Sequence, residues 1–74
     1  MTVKKTSDID RQLGALIRAK RLQQGHSQET LAEALGITYQ QVQKYEAGKN
    51  RITVSRLIDV AEALRVHPSF FLPR

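Results

Sequence analysis

The sequence predicts an all-α fold, a compact bundle of five helices that forms one small domain. Apolar residues recur at intervals of three and four positions almost throughout, and no alternating run of useful length indicates a strand. Glycines and helix-capping residues divide this pattern into five segments. The 74 residues are too few for two domains, while a hydrophobic content of 41% is enough for a packed core.

The first predicted helix is amphipathic. It begins at Ser7 or Asp8, either of which can act as its N-cap, and it ends at Gly25. Basic side chains occupy the faces that the apolar stripe leaves free. That stripe consists of Ile9, Leu13, Leu16 and Ile17.

Two short helices follow, joined by a tight turn. Ser27 is a suitable N-cap for the second helix, at about residues 28–35, and Gly36 can supply the turn. Residues 38–41 have the Thr-x-x-Gln form of a capping box, so the third helix starts almost at once.

The third helix is expected at about residues 39–47. Gly48 can end it by adopting a positive φ. Val42 and Tyr45 are expected to face the core, and at about 100° per residue the opposite face then carries the exposed side chains. These are Gln40, Gln43, Lys44 and Ala47.

The last two predicted helices complete the core. Thr53 can cap the fourth, and His67 followed by Pro68 is typical of the start of a short fifth helix. The fourth helix has the apolar stripe Val54, Leu57, Ile58, Ala61 and Leu64. The fifth carries Phe70, Phe71 and Leu72.

Composition narrows the functional classes. Twelve Lys and Arg against seven Asp and Glu give a net charge of +5, which attracts polyanions and favours nucleic acid as partner. No apolar run is long enough to span a membrane, and we expect a cytoplasmic protein. The absence of cysteine excludes disulfides and thiolate metal sites.

The sequence contains no residue pattern typical of a catalytic site or a metal site. No Ser-His-Asp set, phosphate-binding glycine loop or carboxylate pair with a nearby histidine is present, so we expect no enzyme, no cofactor and no small-molecule substrate. His26 and His67 are far apart and lack an acidic cluster, so we interpret them as a half-buried side chain and a helix cap.

A short helix, a glycine-containing turn and a second short helix form a helix-turn-helix, whose second helix enters the DNA major groove. Glutamine can bond to adenine and lysine to guanine, so Gln40, Gln43 and Lys44 are candidate base contacts. An ordinary α-hairpin with a solvated polar face is the alternative interpretation.

Residues 27–38, SQETLAEALGIT, and residues 41–48, QVQKYEAG, carry a more specific signal. Over about residues 9–72 the chain resembles the Cro/repressor-type (XRE) helix-turn-helix regulators of bacteria and phages. This resemblance implies a lambda-repressor-like DNA-binding domain of five helices. It also implies a base or phosphate contact at Tyr39, a phosphate contact at Gln28, and a partly buried salt bridge between Arg21 and Glu46.

Further phosphate contacts are expected from polar and basic residues around the third helix. Lys49, Asn50 and Arg51 follow it directly, with Arg18 and Lys20 as outer candidates. Residues 1–7 form a flexible basic arm ahead of the domain at 8–74; such an arm either enters the minor groove or remains solvated. Arg65 stands where the family usually has glycine or asparagine, so we expect a strained or differently shaped turn at the end of the fourth helix.

Together these features predict a sequence-specific regulator of transcription, a repressor, encoded by a bacterium or phage and associated with the nucleoid. It would bind a palindromic operator in double-stranded DNA as a homodimer, with Phe70, Phe71 and Leu72 at the dimer interface. A protein partner could sequester it. The alternative is a protein-interaction module, or an antitoxin, that uses the same fold to bind a protein.

Overall fold

A computed structural model describes residues 6–72, which form four α-helices and one 3-10 helix. No strand occurs within that range. The elements in chain order are α1 Thr6–Gln23, α2 Gln28–Leu35, α3 Tyr39–Glu46, α4 Val54–Ala63 and the 3-10 helix Pro68–Phe71.

The predicted fifth α-helix is therefore wrong: the segment is a single 3-10 turn. The N–H of Phe70 donates to the carbonyl of His67 at 2.9 Å, and that of Leu72 donates to Ser69 at 3.1 Å. His67 caps the turn and Pro68 opens it, as the sequence indicated. Four residues allow only these tighter i to i+3 bonds.

Helix α1 starts earlier than predicted, at Thr6, so residues 6 and 7 of the expected arm are helical. Asp8 lies in the first turn of α1 and forms a salt bridge with Arg11 one turn later. A carboxylate in the first turn also interacts favourably with the positive end of the helix dipole. The rest of the arm, residues 1–5, lies outside the described residues.

Hydroxyl side chains cap the next three helices. Ser27 accepts a bond from the N–H of Thr30 at 3.0 Å. Thr38 and Thr53 make equivalent bonds at the starts of α3 and α4, at 3.2 and 3.1 Å. Each bond satisfies an N–H group that has no partner inside its helix.

The turn between α2 and α3 depends on Gly36, whose φ is +68°. The N–H of Ile37 donates to the carbonyl of Ala32 at 3.0 Å, which closes the end of α2 in the Schellman manner. Arg65 adopts a φ of +57° after α4, a conformation that costs a side chain roughly 1–2 kcal/mol.

The core lies between α1, α2, α3 and α4, and Phe71 of the 3-10 helix completes it between α1 and α4. The predicted stripe of α4 is partly wrong, because Val54 is 76% exposed and Ile58 is 43% exposed. Successive residues are about 100° apart on a helix. When Leu57, Val60 and Ala61 face inward, the side of α4 that carries Ile58 must therefore turn towards solvent.

Gly14 allows α1 to lie directly against the end of α3. A Cβ atom at Gly14 would lie 2.2 Å from the carbonyl oxygen of Tyr45 and 2.7 Å from that of Glu46. Both atoms belong to the backbone and cannot rotate away. This close approach was not predicted from the sequence.

We expect Gly14→Ala to destabilise the protein by at least about 2 kcal/mol, because α1 and α3 must separate. Alanine is the better helix former, so without this contact the same change would stabilise the helix by about 1 kcal/mol. Urea unfolding followed by circular dichroism measures the effect. Ala15→Gly, on the exposed side of α1, measures the difference in helix propensity between alanine and glycine without the contact to α3. A Gly14→Ala protein more stable than the parent would contradict the prediction.

Candidate nucleic-acid interface

Helix α3 buries one side and exposes the other. Val42 and Glu46 are buried, whereas Tyr45 is only half-buried, so the expectation that Val42 and Tyr45 face the core holds for Val42 and only partly for Tyr45. Four polar side chains are exposed along α3, and we call them the recognition face. They are Tyr39, Gln40, Gln43 and Lys44.

A buried ion pair holds α3 against α1. Arg21 donates from Nε to Oε2 of Glu46 at 2.6 Å and from Nη2 to Oε1 at 3.0 Å, in the two-bond geometry typical of guanidinium and carboxylate. The side chains are only 7% and 3% exposed. This is the salt bridge that the family resemblance implied.

Arg21 has one further partner, the carbonyl oxygen of His26, at 2.8 Å from Nη1. The guanidinium therefore joins α1 to the segment that leads into α2. The hydrogen bond with Glu46 raises the pKa of Arg21 above its ordinary value. Arg21 therefore stays charged at every pH at which the protein would be studied, and the stability that its raised pKa contributes is lost as the pH rises into the strongly alkaline range.

Gln28 belongs to the same network. Its Nε2 donates to Oε1 of Glu46 at 3.1 Å, and the residue is half-buried at the first position of α2. A carboxylate accepts hydrogen bonds and cannot donate them, so Gln28 must turn its amino group towards Glu46. The amino group keeps a second hydrogen that can reach another acceptor.

The two outer phosphate candidates on α1 lie in different surroundings. Arg18 is exposed and lines an open cavity of about 260 Å³. Lys20 donates to Gln23 at 2.9 Å and lies 5.2 Å from the ring centre of Phe70. Positions 18 and 20 are about 200° apart around the helix, so the structure brings Arg18, but not Lys20, towards α3. The cavity is lined by Arg18, Gln28, Gln43, Glu46 and Ala47.

The segment after α3 remains exposed, including Lys49, Asn50 and Arg51. Arg11 is also there, because a Cβ atom at Gly48 would lie 2.6 Å from its Cγ. Arg11 was not among the residues predicted to lie near this loop. Arg11 is two helical turns before Arg18 and shares the side of α1 that carries Gly14, so the spacing alone contained the signal.

The predicted dimer residues do not share one environment. Phe71 is 1% exposed and lies in the core, so it is not available to a partner subunit. Phe70 packs edge-on against it, with ring centres 5.1 Å apart. Phe70 and Leu72 remain exposed because adjacent side chains in a short turn point in different directions.

The two histidines have local structural roles. His26 is half-buried and its carbonyl accepts from Arg21, whereas Nδ1 of His67 accepts from the N–H of Ser69 at 3.2 Å. Within residues 6–72, no helix is long and apolar enough to cross a membrane.

Comparison with known proteins decides the family. The helix-turn-helix family HTH_3 matches residues 17–71, which include both short helices, the turn between them and the Arg21–Glu46 pair. The chain belongs to this family. The resemblance to Cro/repressor-type regulators is thus confirmed.

Similar proteins include an uncharacterized HTH-type transcriptional regulator of Sinorhizobium medicae, 52% identical over 68 residues that make up 92% of this chain and 49% of that protein. Another, from Sinorhizobium fredii, is 49% identical over 67 residues, 90% of this chain and 47% of that protein. The chain thus spans about half the length of these relatives.

Two solved structures share the fold. The restriction-modification controller protein C.AhdI from Aeromonas hydrophila superposes with a TM-score of 0.82 at 29% identity, covering 88% of this chain and 97% of that one. The DNA-binding domain of BldD gives a TM-score of 0.81 at 36% identity, covering 90% and 97%. The all-helical architecture is therefore shared with solved members of the class.

We expect Glu46→Ala to lower stability by about 3–5 kcal/mol, since it leaves the Arg21 charge buried without its partner. For a domain of this size that corresponds to a fall of at least about 12 °C in melting temperature. Asp59→Ala is the matched control. It removes the ion pair of exposed Asp59 with half-buried Arg56, 3.6 Å long, and should cost less than about 1 kcal/mol.

A Glu46→Ala protein that melts within a few degrees of the parent would contradict this role. The double variant Arg21→Met with Glu46→Leu removes the ion pair without leaving a buried charge. Replacing both partners by apolar groups is often nearly neutral, so we expect this variant to be more stable than Glu46→Ala.

Proposed function

We propose that the protein is a sequence-specific regulator of transcription that binds double-stranded DNA with α3 in the major groove. The observation that carries this proposal is the recognition face, four polar side chains exposed on a helix whose other side is fixed by Val42 and the Arg21–Glu46 pair. The HTH_3 fold and relatives named as HTH-type transcriptional regulators support it. So does the net charge of +5.

Gln40 and Lys44 have the clearest capacity to read bases. They are four residues apart, so their side chains project from neighbouring points on one side of α3. A glutamine can form two bonds to adenine, and a lysine can donate to guanine, each good pair discriminating by about 1–3 kcal/mol. Tyr39 is at the helix start, where it could contact a base or a phosphate.

Cations around α3 supply attraction to the DNA backbone. Lys49 and Arg51 lie beyond the C-terminal end of α3, and Arg18 lies beside it. Asn50 and Gln28 add neutral donors to the same surface. Contacts to phosphate set affinity and register, whereas contacts to base edges set sequence preference.

The proposal includes action as a homodimeric repressor, in the cytoplasm at the nucleoid, on a palindromic operator. Two identical subunits related by a two-fold axis match two half-sites about one helical turn apart. Phe70 and Leu72 are the exposed apolar residues proposed for the interface. A bound dimer would deny other proteins access to the same DNA.

Selection from a random duplex pool at about 0.15 M ionic strength tests the function, because nonspecific attraction to phosphates is already weakened there. Enrichment of a two-fold symmetric site with half-sites about 10 bp apart supports the dimeric regulator. If no motif emerged and binding vanished with added salt, an interaction module or antitoxin that binds a protein would replace it.

We expect Gln40→Ala and Lys44→Ala each to weaken binding to the selected site by about 1–3 kcal/mol and to relax the preference at one base pair. Fluorescence anisotropy on the selected site and on single-base variants measures both effects. Gln12→Ala, on the exposed side of α1, is the matched control. Equal losses in the test and control variants would argue against base reading by α3.

We expect Leu72→Asp to shift the protein towards monomer in sedimentation equilibrium, because it buries a charge in an apolar interface. Leu22→Asp is the control, since Leu22 and Leu72 are 51% and 54% exposed and neither change disturbs the core. A protein that remains dimeric with Leu72→Asp but becomes monomeric with Leu22→Asp would instead have its interface on α1.

A further inference from the structure

The open cavity beside α3 contains side chains from three helices. Arg18 comes from α1, Gln28 from the first position of α2, and Gln43 from the middle of α3. Its volume is about 260 Å³ and it opens to solvent on the side of the molecule that carries the recognition face. The proposed function already includes phosphate contacts by Arg18 and Gln28; we propose that both reach one and the same phosphate in this cavity, and that Gln43 contacts this phosphate and no base.

The charges in the cavity favour an anion. Glu46 also lines it, but both of its oxygens already accept hydrogen bonds from Arg21, and Oε1 accepts a second from Gln28. The buried carboxylate is thus neutralised by its own partner. Arg18 is left as the charge that a ligand would meet, and within residues 6–72 it forms no salt bridge.

The donors in the cavity are oriented before a ligand arrives. Glu46 fixes the amide of Gln28 with its amino group inward, so a hydrogen remains on Nε2 for a second acceptor. Guanidinium and amide N–H groups are the side-chain donors that protein–DNA interfaces direct at phosphate oxygens. Arg21 and Glu46 therefore act on the DNA indirectly, as positioning residues for Gln28.

The helical position of Gln43 separates it from the base-reading side chains. At about 100° per residue, Gln43 is rotated about 60° from Gln40 and about 100° from Lys44, towards Glu46. Gln40 and Lys44 are only about 40° apart. When these two point into the groove, Gln43 faces the wall of the groove, where the sugar–phosphate backbone lies.

This inference rests on the proposed function. It is tested on the selected operator by combining single phosphate replacements in the DNA with single substitutions in the protein. Each phosphate near a half-site is replaced in turn by an uncharged methylphosphonate, and binding is measured for the parent protein and for Arg18→Ala, Gln43→Ala and Gln40→Ala. Arg65→Gly and Gln12→Ala are controls, because both side chains are exposed outside the cavity. Melting temperatures establish that each variant is folded.

We expect one phosphate per half-site at which the methylphosphonate weakens operator binding by the parent protein about tenfold. The same replacement should weaken binding by Arg18→Ala or Gln43→Ala much less, since these variants already lack the contact. Gln43→Ala should weaken operator and unrelated duplex by the same factor and leave the selected motif unchanged. Arg18→Ala should lower the slope of log affinity against log salt by about 1.

Three results would overturn the proposal. If Gln43→Ala relaxes a base pair of the motif, Gln43 reads a base, and the regulator itself stands. The same holds if Arg18→Ala and Gln43→Ala share no sensitive phosphate. If the parent protein selects no motif at all, the proposed function fails and this inference fails with it.

Discussion

The rest of this structure depends on the pairing of Arg21 with Glu46 beneath the contact between α1 and α3. Two hydrogen bonds of 2.6 and 3.0 Å neutralise a carboxylate that would otherwise be buried at high cost. In the same contact, Gly14 lets the backbone of α1 approach the last carbonyl groups of α3. Helix α3 is just eight residues long and would not be stable alone, so this anchorage determines where its exposed face points.

The same pair organises the polar surface next to it. Because Glu46 is occupied by Arg21, it can orient Gln28 without repelling an anion that approaches the cavity. Core and surface are therefore not independent in this protein. A change at Arg21 would alter both the packing of α3 and the direction in which Gln28 donates, although Arg21 itself is buried.

Helix α1 separates two surfaces with different properties. One side carries Arg11, Gly14 and Arg18 along α3 and the loop that follows it. The opposite side carries Lys20 beside Phe70 at the end formed by the 3-10 turn. The positive charges of α1 therefore have different roles. The ammonium group of Lys20 lies over an aromatic ring, whereas Arg18 lines the cavity beside α3.

Local sequence determined the helices and their ends. Ser27, Thr38 and Thr53 cap the helices that follow them, and Gly36 closes the turn, because capping and positive φ depend on the residue itself and its immediate neighbours. The exposed side of α3 also followed from its period. Hydroxyl caps and helical spacing need no knowledge of the rest of the chain.

Tertiary packing decided the remaining features. The rotation of α4 about its axis exposes Val54 and Ile58 and buries Val60, and no local pattern distinguished these apolar positions. Phe71 is in the core and Phe70 is not, since only the space between α1 and α4 selects one of two adjacent rings. Arg18 and Lys20 had equal standing in the sequence, but their neighbours come from distant parts of the chain. The direction of a helix face is a local property, whereas what that face meets depends on contacts that only the folded chain brings together.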